Sequence, residues 1–167
     1  MENFFEHTRQ WVQGETTEAI IIMFFGVVTM AVAIVLHNLD NVPGAKVLFA
    51  PLLICGTAYT AIGGYNYFGN KDRIEVYEKA YDENNLKFIQ DEKARVEGFQ
   101  YMYKISKAVA AVFFIATIAI FWSTSSSAWQ AAGMGLSLFG LAGLVVDYFS
   151  QNRADYYYDI IVKTLNG

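Results

Sequence analysis

The stretch LAGLVVDYFSQNRADYYYD, residues 141–159, ends a long apolar run on Asp147 and follows it with an aromatic pair and an arginine. A carboxylate at such a point can hold a cation, accept hydrogen bonds from tyrosine hydroxyls, or pair with Arg153. A near copy lies upstream: in IGGYNYFGNKDRIEVYE, residues 62–78, Asn66 precedes Tyr67 as Asp147 precedes Tyr148. Asn66, Tyr67, Asp147, Tyr148 and Arg153 are therefore the candidate inner-edge polar group. It reads as a clamp between helices or as an ion or partner site.

Other chemistries find few residues to use. His7 and His37 fall at opposite ends of one apolar run, so they cannot share a metal, and a second cysteine for a thiolate site is absent. The serines of STSSS, 123–127, have no neighbouring base to activate them. Zinc-protease, nucleophile-elbow and phosphate-loop patterns are missing. Neither a metal nor a cofactor is expected, and an enzyme is the remote alternative. Cys55 sits inside an apolar run and reads as a small apolar side chain.

The elements that carry these residues follow from hydropathy. The chain is 54% hydrophobic and only 17% charged, against about 25% charged in ordinary soluble domains. Four segments, 19–36, 47–68, 105–122 and 128–149, approach the roughly 20 apolar residues that span a bilayer core. None shows the polar face of a water-exposed helix. The leader before the first segment is acidic and the apolar stretch is too long for a signal core, so it reads as a retained anchor. The expected fold is an all-α membrane protein: a four-transmembrane-helix bundle of two hairpins, 19–68 and 105–149. A leader (1–18), an amphipathic segment (69–104) and a tail (150–167) flank them.

Charge sets the expected topology. Of the twelve Lys and Arg residues, only Lys46 lies in the loop between the first two segments, and 123–127 carries none. Short loops rich in Lys and Arg stay cytoplasmic. Both termini and the middle segment are thus expected inside a plasma membrane; compactness and the lack of eukaryotic sorting signals favour a bacterial inner membrane. Trp122 and Trp129 bracket the outer loop 123–127, and Trp11 is assigned to the inner interface. The inner charges alternate in sign, as on a solvated helical surface rather than a nucleic-acid patch. Neither nucleic acid nor a metal is an expected partner; membrane lipid, another membrane protein or a second copy is.

Within 69–104, DENN at 82–85 breaks the helical pattern and offers caps. Two amphipathic helices are expected, the first extending the second span and the second feeding the third. Their apolar stripe runs through Tyr77, Tyr81, Phe88 and Ile89, then Val96, Phe99 and Tyr103. It either packs on itself or forms a partner surface. VQG at 12–14 and VEG at 96–98 extend the match between halves, which reads either as a parallel duplication or as convergence of helices that leave a bilayer on Tyr and a polar residue.

Inside lipid, helices associate through small residues and polar contacts. Gly133, Ser137, Gly140 and Gly143 share one face of the fourth span and lead to Asp147. Gly56, Thr60, Gly63 and Gly64 lead to Asn66 in the second. The expected seam joins these two faces. The functional expectation is a small accessory or regulatory membrane protein that acts by protein contacts without catalysis. A homo-oligomeric channel or transporter is the alternative.

Overall fold

The computed structural model describes residues 4–39, 41, 42 and 44–166. They form α1 (Phe4–His37), a 3-10 turn (Ala45–Leu48), α2 (Phe49–Asn70), α3 (Arg73–Glu83), α4 (Asn85–Ser123) and α5 (Ser127–Asn166). No strand occurs among the described residues. Four helical runs are long and apolar enough to cross a membrane, with α2 and α3 counted as one run over Ala45–Glu83. The leader and the tail are continuous with the apolar stretches: α1 has 34 residues, α4 39 and α5 40.

Local chemistry explains the breaks. Pro51 stands in the first turn of α2, where its missing N–H has no helical acceptor to lose. Gly44 has φ 79°, a left-handed value that suits glycine in the loop before the 3-10 turn. Asn84 is extended, and its side chain accepts the Lys87 N–H at 2.9 Å, so it stops α3 and caps α4. The α4–α5 turn is tied by Ser126 N–H to Thr124 Oγ1 and by Gln130 Nε2 to Thr124 O, both 3.1 Å.

The expected seam between the second and fourth apolar stretches is not how the small residues pair. A Cβ on Gly56 would lie 2.7 Å from Gly26 O and 2.9 Å from Met30 N; one on Gly63 would lie 2.5 Å from Met23 N. These glycines admit α1, not α5. Thr60 donates to Gly56 O at 2.8 Å within its own helix, and Gly64 faces open space. In the other hairpin, Gly133 and Gly140 lie against Thr117 and Ala110 of α4. Ser137 bonds Thr117 at 3.0 Å there, and Thr117 bonds Gly133 O at 2.8 Å. The physical reason is chain connectivity: residues 124–126 alone join α4 to α5, and 38–48 join α1 to α2, and connections this short keep sequential helices side by side. Between hairpins, α2 meets α5 where Pro51 fills the space over Gly135 and where Tyr59 lies over Gly143, its hydroxyl donating to Phe139 O at 2.5 Å.

Burial is concentrated at the end away from the two short loops. Phe4, Trp11, Val12, Phe88, Ile89, Val96, Tyr157 and Ile161 form the larger core. The apolar windows bury only 6–28% of their residues, so side chains such as Phe24, Ile54, Ile115 and Ile118 point outward. The pairing of glycines gives a direct expectation. Gly56→Val should lower the melting temperature in detergent, by about 1–3 kcal/mol of overpacking strain, whereas Gly64→Val should leave it unchanged.

Candidate functional site

The stripe offered as a partner surface lies inside the molecule. Phe88, Ile89, Val96 and Tyr103 are buried, and Tyr77, Tyr81 and Phe99 are half-buried against them. Phe88 takes Tyr77 and Tyr81 edge-on at 5.4 and 5.7 Å. The stripe is covered because α1 and α5 extend past the apolar stretches and close over α3 and α4. Trp11, assigned to the membrane edge, is 5% exposed and stacks on Tyr157 at 5.5 Å and 15°.

A buried ion pair runs through this core. Arg95 donates twice to Glu92, Nε to Oε1 at 2.8 Å and Nη2 to Oε2 at 2.6 Å. The Glu92 side chain is 5% exposed. Tyr157 donates its phenol proton to Glu92 Oε2 at 3.1 Å. Thr8, 2.8 Å from that phenol oxygen, is then the donor to it. The Arg95 guanidinium lies over the Trp11 ring, 4.3 Å from its centroid. Burial, then the Glu92 charge, pushes the Tyr157 phenol up. For Arg95, burial alone would lower its affinity for the proton, but the Glu92 bonds outweigh it and the net direction is upward. Alternating charge alone places Glu92 on a solvated surface; its i,i+3 and i,i+4 relation to Ile89 and Val96, both on the buried face, is the signal that marks it as internal.

The clamp between hairpins is made by Arg153, not by Asp147. Arg153 reaches α1 and pairs with Glu15 at 2.8 Å and with Glu18. Gly14 leaves the room: a Cβ there would lie 2.8 Å from Arg153 Cδ. Burial raises the Glu18 carboxyl despite Arg153, with Glu15 and Asp147 adding to the rise. Burial opposes the Arg153 charge, and the bonds to Glu18 and Glu15 prevail.

Asp147 is half-buried, and its Oδ2 is enclosed without a hydrogen-bond partner. It bonds none of the partners proposed for it: not a tyrosine hydroxyl, not Asn66, not Arg153. It lines a cleft of about 550 Å³ together with Asn66 of α2 and Trp11 and Glu15 of α1. Arg73 of α3 and Arg95, Tyr103 and Ser106 of α4 complete the walls. The cleft exists because α2 and α4 nowhere come within 8 Å of each other between Cα atoms of described residues. Tyr67 is half-buried and Tyr148 is 62% exposed, so neither tyrosine closes over the carboxylate. The two aromatic pairs, Tyr67–Phe68 and Tyr148–Phe149, share one edge-on geometry, 5.4 Å at 79° and 78°.

Comparison with known proteins finds no matching family model, no similar curated protein and no similar solved structure. The site stands on its own geometry.

Two outcomes follow. Arg153→Met strands Glu15 and Glu18 half-buried without a cation, so thermal melting in detergent should fall, by on the order of 1–3 kcal/mol against 3–5 for a fully buried pair. Asp147→Leu should melt no lower than the parent. The second concerns pH. A carboxyl raised by folding favours the folded state while protonated, and that contribution is lost as pH rises through its folded value. The melting difference between Glu18→Gln and the parent should therefore move in favour of the variant as pH rises from about 4 to about 7; movement the other way would contradict the burial of Glu18.

Proposed function

We propose that this chain is an integral membrane protein that works by binding, with the cleft beside Asp147 as its binding site. It performs no catalysis and conducts no solute. Its four apolar stretches cross a plasma membrane, and the aromatic core, both termini and the cleft lie on the cytoplasmic side. A bacterial inner membrane is the favoured compartment. Three observations support embedding. The apolar windows are long, they carry almost no charge, and their large side chains point outward. A protein in water buries such groups.

The observation that carries the binding reading is the cleft itself: a cavity of mixed polar and apolar lining, with an enclosed, unpartnered carboxylate oxygen on one of its lining residues, at the junction of the aromatic core and the apolar stretches. Conduction is disfavoured by what the hydroxyls of the apolar stretches do. Thr29, Thr60 and Thr117 donate to carbonyls of their own helices, Ser137 to Thr117, and Tyr59 to Phe139 O. A wet path needs such groups free along one surface. The matched aromatic pairs and the full burial of Val12 and Val96 at corresponding places support the duplicated hairpin as its origin.

An accessory or regulatory role follows from this reading: the protein binds within the membrane and presents the result to another membrane protein or to a second copy. The test is native mass spectrometry of the protein extracted gently from its own membrane, followed by ion flux in liposomes. A heteromeric mass without flux is expected. A closed homo-oligomer that conducts would replace this reading with a pore.

A further inference from the structure

We infer that the cleft receives the headgroup of a phospholipid ending in a primary ammonium group. The inference rests on the binding reading above and names the ligand class. The cleft is walled in part by Asn66 of α2 and Tyr103 and Ser106 of α4, whose backbones stay apart, and Ile62 and Ile105, four residues before Asn66 and one before Ser106, are exposed. An amphiphile can therefore enter sideways, its chains between these helices and its headgroup in the cavity. About 550 Å³ lies within the range of small-molecule sites, about 300–1,000 Å³.

The charges choose the headgroup. Of the two arginines lining the cleft, Arg95 is neutralised by Glu92 in a two-point pair. Arg73 has only aromatic faces, Trp11 at 6.0 Å and Tyr77 at 5.9 Å, and no carboxylate partner among the described residues. Of the two carboxylates, Glu15 is held by Arg153, which is shared with Glu18. Asp147 is left over, close enough to Glu18 to raise that carboxyl further. Three carboxylates, Asp147 and Glu15 of the lining and Glu18 beside it, thus share one arginine, while Arg73 of the lining stands unmatched among the described residues. A simple anion would answer Arg73 and leave Asp147; a simple cation would do the reverse.

Two orphaned atoms agree with a ligand bearing both charges. Asp147 Oδ2 is a buried acceptor without a donor, and Trp11 Nε1 is a buried donor without an acceptor. Both residues line the cleft, and Trp11 also lines a smaller cavity with His7, Gln10 and Arg153. A primary ammonium supplies donors to Asp147, with the Asn66 carbonyl beside it, and the adjoining phosphate supplies acceptors for the Trp11 N–H and Arg73. A trimethylated ammonium carries the same charge but no N–H, so it cannot satisfy Asp147. Buried polar groups left unmatched reject a ligand strongly, and this makes the choice between the two headgroups a sharp one.

The experiment uses the full chain in bilayers of equal phosphatidylethanolamine, phosphatidylcholine and phosphatidylglycerol, with bound lipid read by native mass spectrometry after release. The ethanolamine lipid should be retained about tenfold over the choline lipid, as expected for one charged hydrogen bond. Asp147→Asn should remove that preference. Arg73→Gln should weaken retention of both lipids without changing their ratio, and it lies on α3, away from the apolar stretches, should Asp147→Asn fail to fold. Equal retention of all three lipids, or preference for the glycerol lipid, would overturn the assignment. Ion flux through the same bilayers separates the two levels: unselective binding without flux sinks the headgroup alone, whereas flux sinks the binding reading beneath it.

Discussion

Four long helices that turn their apolar stretches outward cannot be held together by burying those stretches against one another. Their association rests on two other things. One is backbone contact within each hairpin, where Gly26, Gly56 and Gly63 bring α1 and α2 together and Gly133 and Gly140 bring α5 to α4. The other is the aromatic core at one end, to which α1, α3, α4 and α5 contribute and where side chains such as Val12, Val96 and Ile161 are fully enclosed. Close packing works without a hydrophobic driving force, and an aromatic core supplies that force where water is present.

This division of labour has a consequence for the middle of the molecule. Each hairpin is tight along its length, and the aromatic core ties the hairpins at one end. Between them α1, α2 and the 3-10 turn approach α5, and α3 approaches α4, while α2 and α4 stay apart among the described residues. The cleft is what that divergence leaves. Of its charged residues Arg95 pairs with Glu92 and Glu15 with Arg153, whereas Arg73 and Asp147 have no ion partner among the described residues. Arg153 reaches its partners because Gly14 lets it lie across α1. Asp147 lies two turns before Arg153 on the same helix and meets no such partner.

The buried pair of Glu92 and Arg95 fits the same picture. Removing two charges from water is costly, and such a pair gains stability only when its remaining hydrogen-bonding atoms are satisfied. Here Tyr157 donates to the carboxylate and is itself held by Thr8, and the Trp11 ring accepts the face of the guanidinium. These residues come from α1, α4 and α5, so the network fixes the rotation of three helices about one another. An aromatic core of stacked rings alone would tolerate sliding; a directional pair does not.

Much was legible from residue order. The four apolar runs, the break at Asn84 with its cap, and the apolar stripe from Tyr77 to Tyr103 all follow from period and composition, because those are properties of single segments. Which faces meet was not legible. A glycine stripe announces close approach but carries no label for its partner: Gly56 and Gly63 of α2 meet α1, Gly133 and Gly140 of α5 meet α4, and Gly143 of the same stripe lies against Tyr59 of α2. The stripe from Tyr77 to Tyr103 was open to both an inward and an outward reading until α1 and α5 were seen to close over it. Arg153 finds Glu15 and Glu18 more than a hundred residues away, and nothing local in the sequence prefers them to Asp147. Periodicity decides what a helix offers; only the packed arrangement, where distance and desolvation choose among equivalent partners, decides what accepts it.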